Sequence, residues 1–314
     1  MKELPTAVDK QMAGRTHDEG STPQTNRIPL FRRDLKPTNF VLSADDLSEF
    51  FELLQEINSR AKTIELSKLN LEQFENMEDA TERVRQFVTL EYIYRAHNGD
   101  SVQGLGAPDT QERMFPDDLL SIYVSNASFA ERSINVRPLN TVEVFLDFKR
   151  PSLKIDLNSL PSNPTENDSI INVVGRDEDW VISSADKIAT FFKKKKVHRP
   201  AIHGSGTYDY LIWLFFLPAW LWLFSKNGAP LENWLEKKSI FFNVMAGISA
   251  LFASLLVARF TFQYIRWAFP PTEFFKKSQI GAFAHRAVIA VILSTLLLSA
   301  GYEFVRWLFL NRLA

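Results

Sequence analysis

Lys193, Lys194, Lys195 and Lys196, followed by Arg199, form the densest basic run in the sequence. Beside an apolar stretch, such a run holds anionic headgroups at ~1 kcal/mol per basic residue near the surface, and it also fixes which way a chain enters a bilayer. Further on, Arg259, Gln263 and Arg266 recur at helical spacing on one stripe, ahead of Trp267 and the helix-ending pair Pro270-Pro271. That stripe has four readings: contact with lipid phosphates, the wall of a vestibule, pairing with acids of the preceding domain, or simple snorkelling. Lys193, Lys194, Lys195, Lys196, Arg199, Arg259 and Arg266 are therefore the candidate lipid and interface residues. Their chemistry is binding at a charged surface, with no bond made or broken.

Other constellations give little. Asp177, Glu178 and Asp179 could seat a hard cation, but carboxylates at a helix start already complement its positive dipole end. Gly204-Ser205-Gly206 lacks the spacing of a nucleophile elbow, and Gly104-Leu105-Gly106 lacks the third glycine of a dinucleotide loop, so both read as flexible connections. His17, His97, His198, His203 and His285 are scattered without metal-ligand spacing. With no cysteine in the chain, disulfides, thiolate metal sites and cysteine nucleophiles are excluded. No catalytic residue, metal site or cofactor is expected. A net charge of -1 leaves no basic excess for general nucleic-acid binding.

Three apolar runs decide where these charges sit. The first, 208–224, is about 17 residues long, short for a crossing, with Pro218 placed to kink it. The second, 239–262, is the clearest, and carries one charge, Arg259, near its end. The third, 285–308, is uninterrupted only from Ala287 to Ala300, so a re-entrant helix competes with a full crossing. Lys193, Lys194, Lys195, Lys196 and Arg199 precede the first run, and Arg259, Arg266, Lys276, Lys277 and Arg286 lie between the second and third. Those ten face only Lys226, Lys237, Lys238, Arg306 and Arg312 on the other side, which places the front of the chain in the cytosol and the C-terminus opposite.

The front reads as an α+β domain. Residues 1–37 lack apolar periodicity and are expected to be a disordered arm, with structure beginning near Phe40. Ser43 with Asp46 predicts a helix N-terminus, followed by Leu47, Phe50, Leu54, Ile57, Ala61 and Ile64 on one face. A second helix is predicted at Leu71 to Gln86. Alternation around Tyr92 and Tyr94 predicts a strand, and Asn98-Gly99 a tight turn into Ser101 to Leu105. Strands follow at Leu120 to Ser125, Thr141 to Lys149 and Ile170 to Val174, then a helix from Asp177 into the lysine run. The fold class is thus an antiparallel sheet with flanking helices over 38–197, a linker at 198–207, and a membrane domain of about three helices over 208–314.

A multi-pass membrane protein follows, with the bilayer and its anionic headgroups as partner and a homo-oligomer allowed by small polar residues such as Asn243, Ser249 and Ser294 in the spans. Function is expected to be that of a membrane-anchored cytosolic binding or assembly module, the helices serving as anchor and oligomerisation element. An oligomeric pore gated by the cytosolic domain is the alternative.

Overall fold

The computed structural model describes residues 29–68, 77–106, 115–116, 118–153, 162–197, 199–218, 239–275 and 284–292, with isolated positions as far as 306. Ser43 and Asp46 cap α1 (Ala44–Lys68) reciprocally: the Asp46 amide donates to Ser43 Oγ at 3.2 Å, and the Ser43 amide donates to Asp46 Oδ2 at 2.8 Å. Two orphan donors of the first turn are satisfied locally. Leu47, Phe50, Leu54, Ile57 and Ala61 are buried as the periodicity predicts, and Ile64 packs partly against them. The second helix, α2, covers Met77–Phe87; its predicted beginning at Leu71 lies outside the described residues.

Six strands form one sheet: β1 (Phe31–Leu35), β3 (Glu91–Ala96), β4 (Ser101–Leu105), β5 (Leu119–Ser125), β6 (Thr141–Asp147) and β7 (Ile170–Gly175). Their order is β1-β7-β6-β5-β3-β4 and every pairing is antiparallel. Gly99, at φ 93°, makes the β3–β4 turn. Gly104 is part of β4 rather than a flexible connection: it faces Tyr92 across the ladder, where an added Cβ would lie 2.2 Å from the Tyr92 hydroxyl oxygen. The short helix α3 (Ser128–Ile134) follows β5, and α4 (Glu178–Lys194) begins at the cap Asp177, whose carboxylate accepts from the Trp180 amide at 2.9 Å. Helix α4 covers the β1–β7 end of the sheet, and α1 reaches β3 through Phe51, whose ring meets Tyr92 and Tyr94. Trp180, fully buried between the helices, donates its indole N–H to the Ile57 carbonyl at 3.2 Å. This is the α+β domain expected.

Two strands depart from expectation. β1 lies inside the stretch read as an arm ending at residue 37; its Arg32, Arg33 and Asp34 leave no apolar alternation because an edge strand is solvated on one side. The second is more consequential. β8 (Thr272–Phe275) follows the long apolar helix and pairs in parallel with β2 (Phe40–Ser43), the strand that feeds α1. Phe274 enters the main core beside Phe115 and Phe148, with ring centroids 5.8 Å and 6.2 Å away. The α+β domain therefore does not end at residue 197.

The supposed linker at 198–207 is also built. It contains α5 (Pro200–His203) and leads into α6 (Thr207–Leu211), which continues as a π-helical stretch, Ile212–Phe216. The register slip sits just before Pro218, which lacks the N–H that would complete an α-helical turn there. Of the three spans read from the sequence, one described helix, α7 (Ile240–Ala268), is long and apolar enough to cross a membrane, with mean hydropathy 2.2 over its apolar window. It runs six residues past the predicted end at Phe262. Residues 219–224 of the first run and much of the third lie outside the described residues, so about three crossings reduce to one candidate here.

Because Phe274 is a core residue of the α+β domain, Phe274→Ala should cost about 3–5 kcal/mol, as a truncated core aromatic does. Denaturant unfolding of the full chain in mild detergent checks this; a change within about 0.5 kcal/mol would mean that β8 is a surface strap.

Candidate functional site

The end of α7 is held by the domain at four successive carbonyls, those of Ala268, Phe269, Pro270 and Pro271. A helix C-terminus has orphan acceptors and a negative dipole end, both of which favour cationic donors. Arg286 Nε donates to the Ala268 carbonyl at 2.9 Å, His203 Nε2 to that of Phe269 at 2.6 Å, and Arg199 Nη1 to that of Pro270 at 2.8 Å. The Phe40 amide donates to Pro271 at 3.1 Å, which starts the β2–β8 pairing. Pro270 and Pro271, having no N–H to donate back to the carbonyls of Arg266 and Trp267, stop the helix at this point.

One turn earlier, Arg266 is buried at 8 % exposure. Its guanidinium donates to the carbonyls of Ile202 at 2.9 Å, Asn163 at 3.0 Å and Gly204 at 3.4 Å, and it lies 4.5 Å from the Phe262 ring centre. Arg266 thus ties α7 to the α5–α6 connection and to the loop before β7. The stripe does reach the front domain, as one of its four readings required, but its partners are carbonyls rather than acids.

Glu273 is the centre of this junction. Its carboxylate is 4 % exposed and meets three arginines from three parts of the chain: Arg199 at 3.1 Å on Oε2, and Arg286 at 2.5 Å and Arg150 at 3.7 Å on Oε1. A carboxylate out of water is tolerated only when charges and hydrogen bonds replace its hydration. The guanidinium of Arg150 also lies 5.4 Å from the Trp267 ring centre, and that of Arg286 5.4 Å from Phe269. Around them, Thr272 Oγ1 donates to the Asp147 carbonyl, and Asn167 Nδ2 donates to Thr272 Oγ1 at 2.9 Å. His285, at the start of the helical residues 284–292, stacks edge-on against Trp267 at 4.9 Å, its Nδ1 lying 2.8 Å from the Tyr264 hydroxyl.

His203 is the titratable element. Burial pushes its pKa below the ordinary histidine value, and the charges of Arg266 and Arg199 push the same way against the Phe269 hydrogen bond. A carbonyl can only accept, so Nε2 carries the proton; in the neutral ring Nδ1 then accepts from the Thr165 hydroxyl at 2.9 Å.

The candidate residues from the sequence divide. Lys193, Lys194 and Lys196 are exposed. Lys195 is turned inward to Asp46 and Glu49, and the Asp46 hydrogen bond holds its ammonium above the usual lysine range. Arg199 and Arg266 are structural donors, and Arg259 is half-buried on α7. Glu273, Arg150 and His203 were not singled out by sequence. One signal was present: Glu273 is the only acidic residue between Glu236 and Glu303, alone among Arg259, Arg266, Lys276, Lys277 and Arg286.

An open groove of about 700 Å³ lies between α1 and α4, lined by Glu49, Glu52, Glu56, Asp186, Lys187 and Lys194 among others. Lys187 pairs with Glu56 across it at 2.5 Å. Among the described residues no three His, Asp or Glu groups converge as metal ligands.

No family model matches this chain, and no curated protein or solved structure is similar enough to carry an argument. What fold and junction define is an α+β domain in whose core lies the strand that follows one long apolar helix.

A base whose pKa is lower folded than unfolded binds fewer protons when folded between the two values, so the stability of the junction falls as pH drops from 6.5 toward the folded value. Hydrogen exchange of the Phe40 amide, corrected for intrinsic rate, should therefore speed up on acidification from neutrality, and His203→Gln should flatten that dependence. Equal pH profiles for the two proteins would contradict the assignment.

Proposed function

We propose that this protein is a membrane-anchored assembly module, with the α+β domain on the cytosolic face and the apolar helices serving as anchor and oligomerisation element. The observation that carries this is α7. Phe241, Phe252, Val257 and Phe260 are all exposed along it, yet its last turns are buried in the domain. An exposed apolar helix of 29 residues is about 44 Å long at ~1.5 Å per residue, enough for a hydrocarbon core of ~30 Å with its final turns outside.

The junction also supports a common side for the front domain and the segment after α7, since β8 sits in the domain's own core. The two basic groups counted from the sequence then lie on one face, which the positive-inside tendency assigns to the cytosol. Exposed Lys193, Lys194 and Lys196 lie at the end of α4 and can add electrostatic contact with anionic lipid. With three crossings the C-terminus lies outside.

Rigid attachment would equally suit a gate, and the bond between Arg286 and Glu273 links the third apolar run to the domain. Ahead of Arg259, however, the polar side chains of α7 are the small ones of Asn243, Ser249 and Ser254, and Ser254 already donates to the Leu251 carbonyl at 2.7 Å. Small polar residues favour close helix packing, at ~0.6 kcal/mol for a typical interhelical hydrogen bond, without a wet lumen.

The chain should stay with membranes through an alkaline carbonate wash. A reporter active only in the cytosol should work when fused before Met1 and stay silent after Ala314. Release by carbonate rejects the anchor, and reporter activity at both ends rejects three crossings. Purified protein in planar bilayers should give no unitary conductance; reproducible currents that change on Asn243→Leu would favour the pore.

A further inference from the structure

Charge is not balanced at the foot of α7. Arg150, Arg199 and Arg286 share the single carboxylate of Glu273, and Arg266 stands nearby with only carbonyl partners. Arg199 and Arg286 are held in place by backbone acceptors besides Glu273. Arg150 is different. Its side chain is 24 % exposed, its nearest carboxylate oxygen is 3.7 Å away, beyond hydrogen-bond distance, and the Trp267 ring lies 5.4 Å from it. Among the described residues its guanidinium donates no hydrogen bond. Its fork of donors is half-buried and engages no acceptor at hydrogen-bond distance among the described residues, so it stands at the surface of the cluster with donors to offer. Burial lowers the pKa of Arg150, and the charges of Arg286 and Arg199 add to this against that of Glu273.

From this geometry we propose that Arg150, with Arg199 and Arg286 behind it, forms a binding site for a phosphate group carrying net negative charge, supplied by an anionic lipid headgroup. Two positive charges in excess of Glu273 match a phosphate with its own formal charge, and a guanidinium fork presents paired donors to two phosphate oxygens. The Arg150 guanidinium carbon lies over the Trp267 ring, 5.4 Å from its centre, which holds the cation beside the helix end. Lipid is the source that the location favours, because the site surrounds the turn where α7 ends. This choice of source rests on the membrane reading; the phosphate chemistry does not.

The test uses the full chain in neutral detergent, titrated by calorimetry with short-chain phosphatidylglycerol, short-chain phosphatidylcholine and inorganic phosphate. Wild type should bind phosphatidylglycerol saturably and phosphatidylcholine much more weakly. Arg150→Gln should weaken the phosphatidylglycerol affinity about tenfold or more, the effect of losing one charge-assisted hydrogen bond. Its melting midpoint without ligand should be unchanged or raised, since a repelling charge is removed. Arg150-dependent binding of inorganic phosphate without phosphatidylglycerol binding would support the phosphate site and overturn the lipid source.

Equal affinity of wild type and Arg150→Gln for every probe overturns the proposal, as does equal binding of the zwitterionic and anionic lipids. Should Arg150→Gln fail to fold, Arg150→Lys, which keeps the charge without the fork, decides: a partial loss supports the site and unchanged binding overturns it. Flotation of proteoliposomes after an alkaline wash should be equal for all variants. Loss of flotation in wild type would sink the anchor reading while leaving the detergent titration to be judged by itself.

Discussion

One carboxylate inside the protein sets the terms for everything around it. Glu273, at 4 % exposure, needs cations because an unpaired buried charge would cost more than the domain can spare. Meeting that need draws Arg150 from just after β6, Arg199 from just before α5 and Arg286 from beyond β8 to one point. Each arginine brings its own segment with it. The position of α7 relative to the sheet is therefore set by side chains that converge on a strand of only four residues.

The hydrogen bonds around it divide the labour. Arg199, His203 and Arg286 occupy the carbonyls at the helix end, Arg266 those of the connection beside it, and Phe274 supplies apolar burial that fixes the register of β8 against β2. Electrostatics gives the position and Phe274 much of the affinity, since burying a Phe side chain contributes ~1.5–3 kcal/mol. Arg150 adds least to this structure, which is why it is the one free to serve a ligand.

Local rules made most of the domain legible. The Ser43 and Asp46 cap, the apolar stripe of α1, the alternation in β6 and the Gly99 turn each depend on residues close in sequence, and each is present where those rules place it. The failures share a cause. β1 is a charged edge strand, β8 is four residues after two prolines, and α5 has a single turn, so none carries a periodic signal of its own. Their structure comes from partners far away in the chain, such as Gly175 opposite Phe31 and Phe40 opposite Thr272. The junction was hidden for the same reason: the basic residues were visible and were counted by side, but the acid that gathers three of them stands alone.

The most direct measurement is hydrogen exchange of the β8 amides and of the Phe40 amide in the full chain reconstituted in a bilayer, compared between wild type and Glu273→Gln. If Glu273 holds the helix end in the domain, wild type should protect these amides for far longer than an open loop would. Glu273→Gln, which leaves three arginines facing an uncharged amide, should lower that protection at least tenfold, at ~3–5 kcal/mol for breaking a buried ion pair. Exchange of the wild-type amides at open-loop rates, or equal protection in the two proteins, would contradict it.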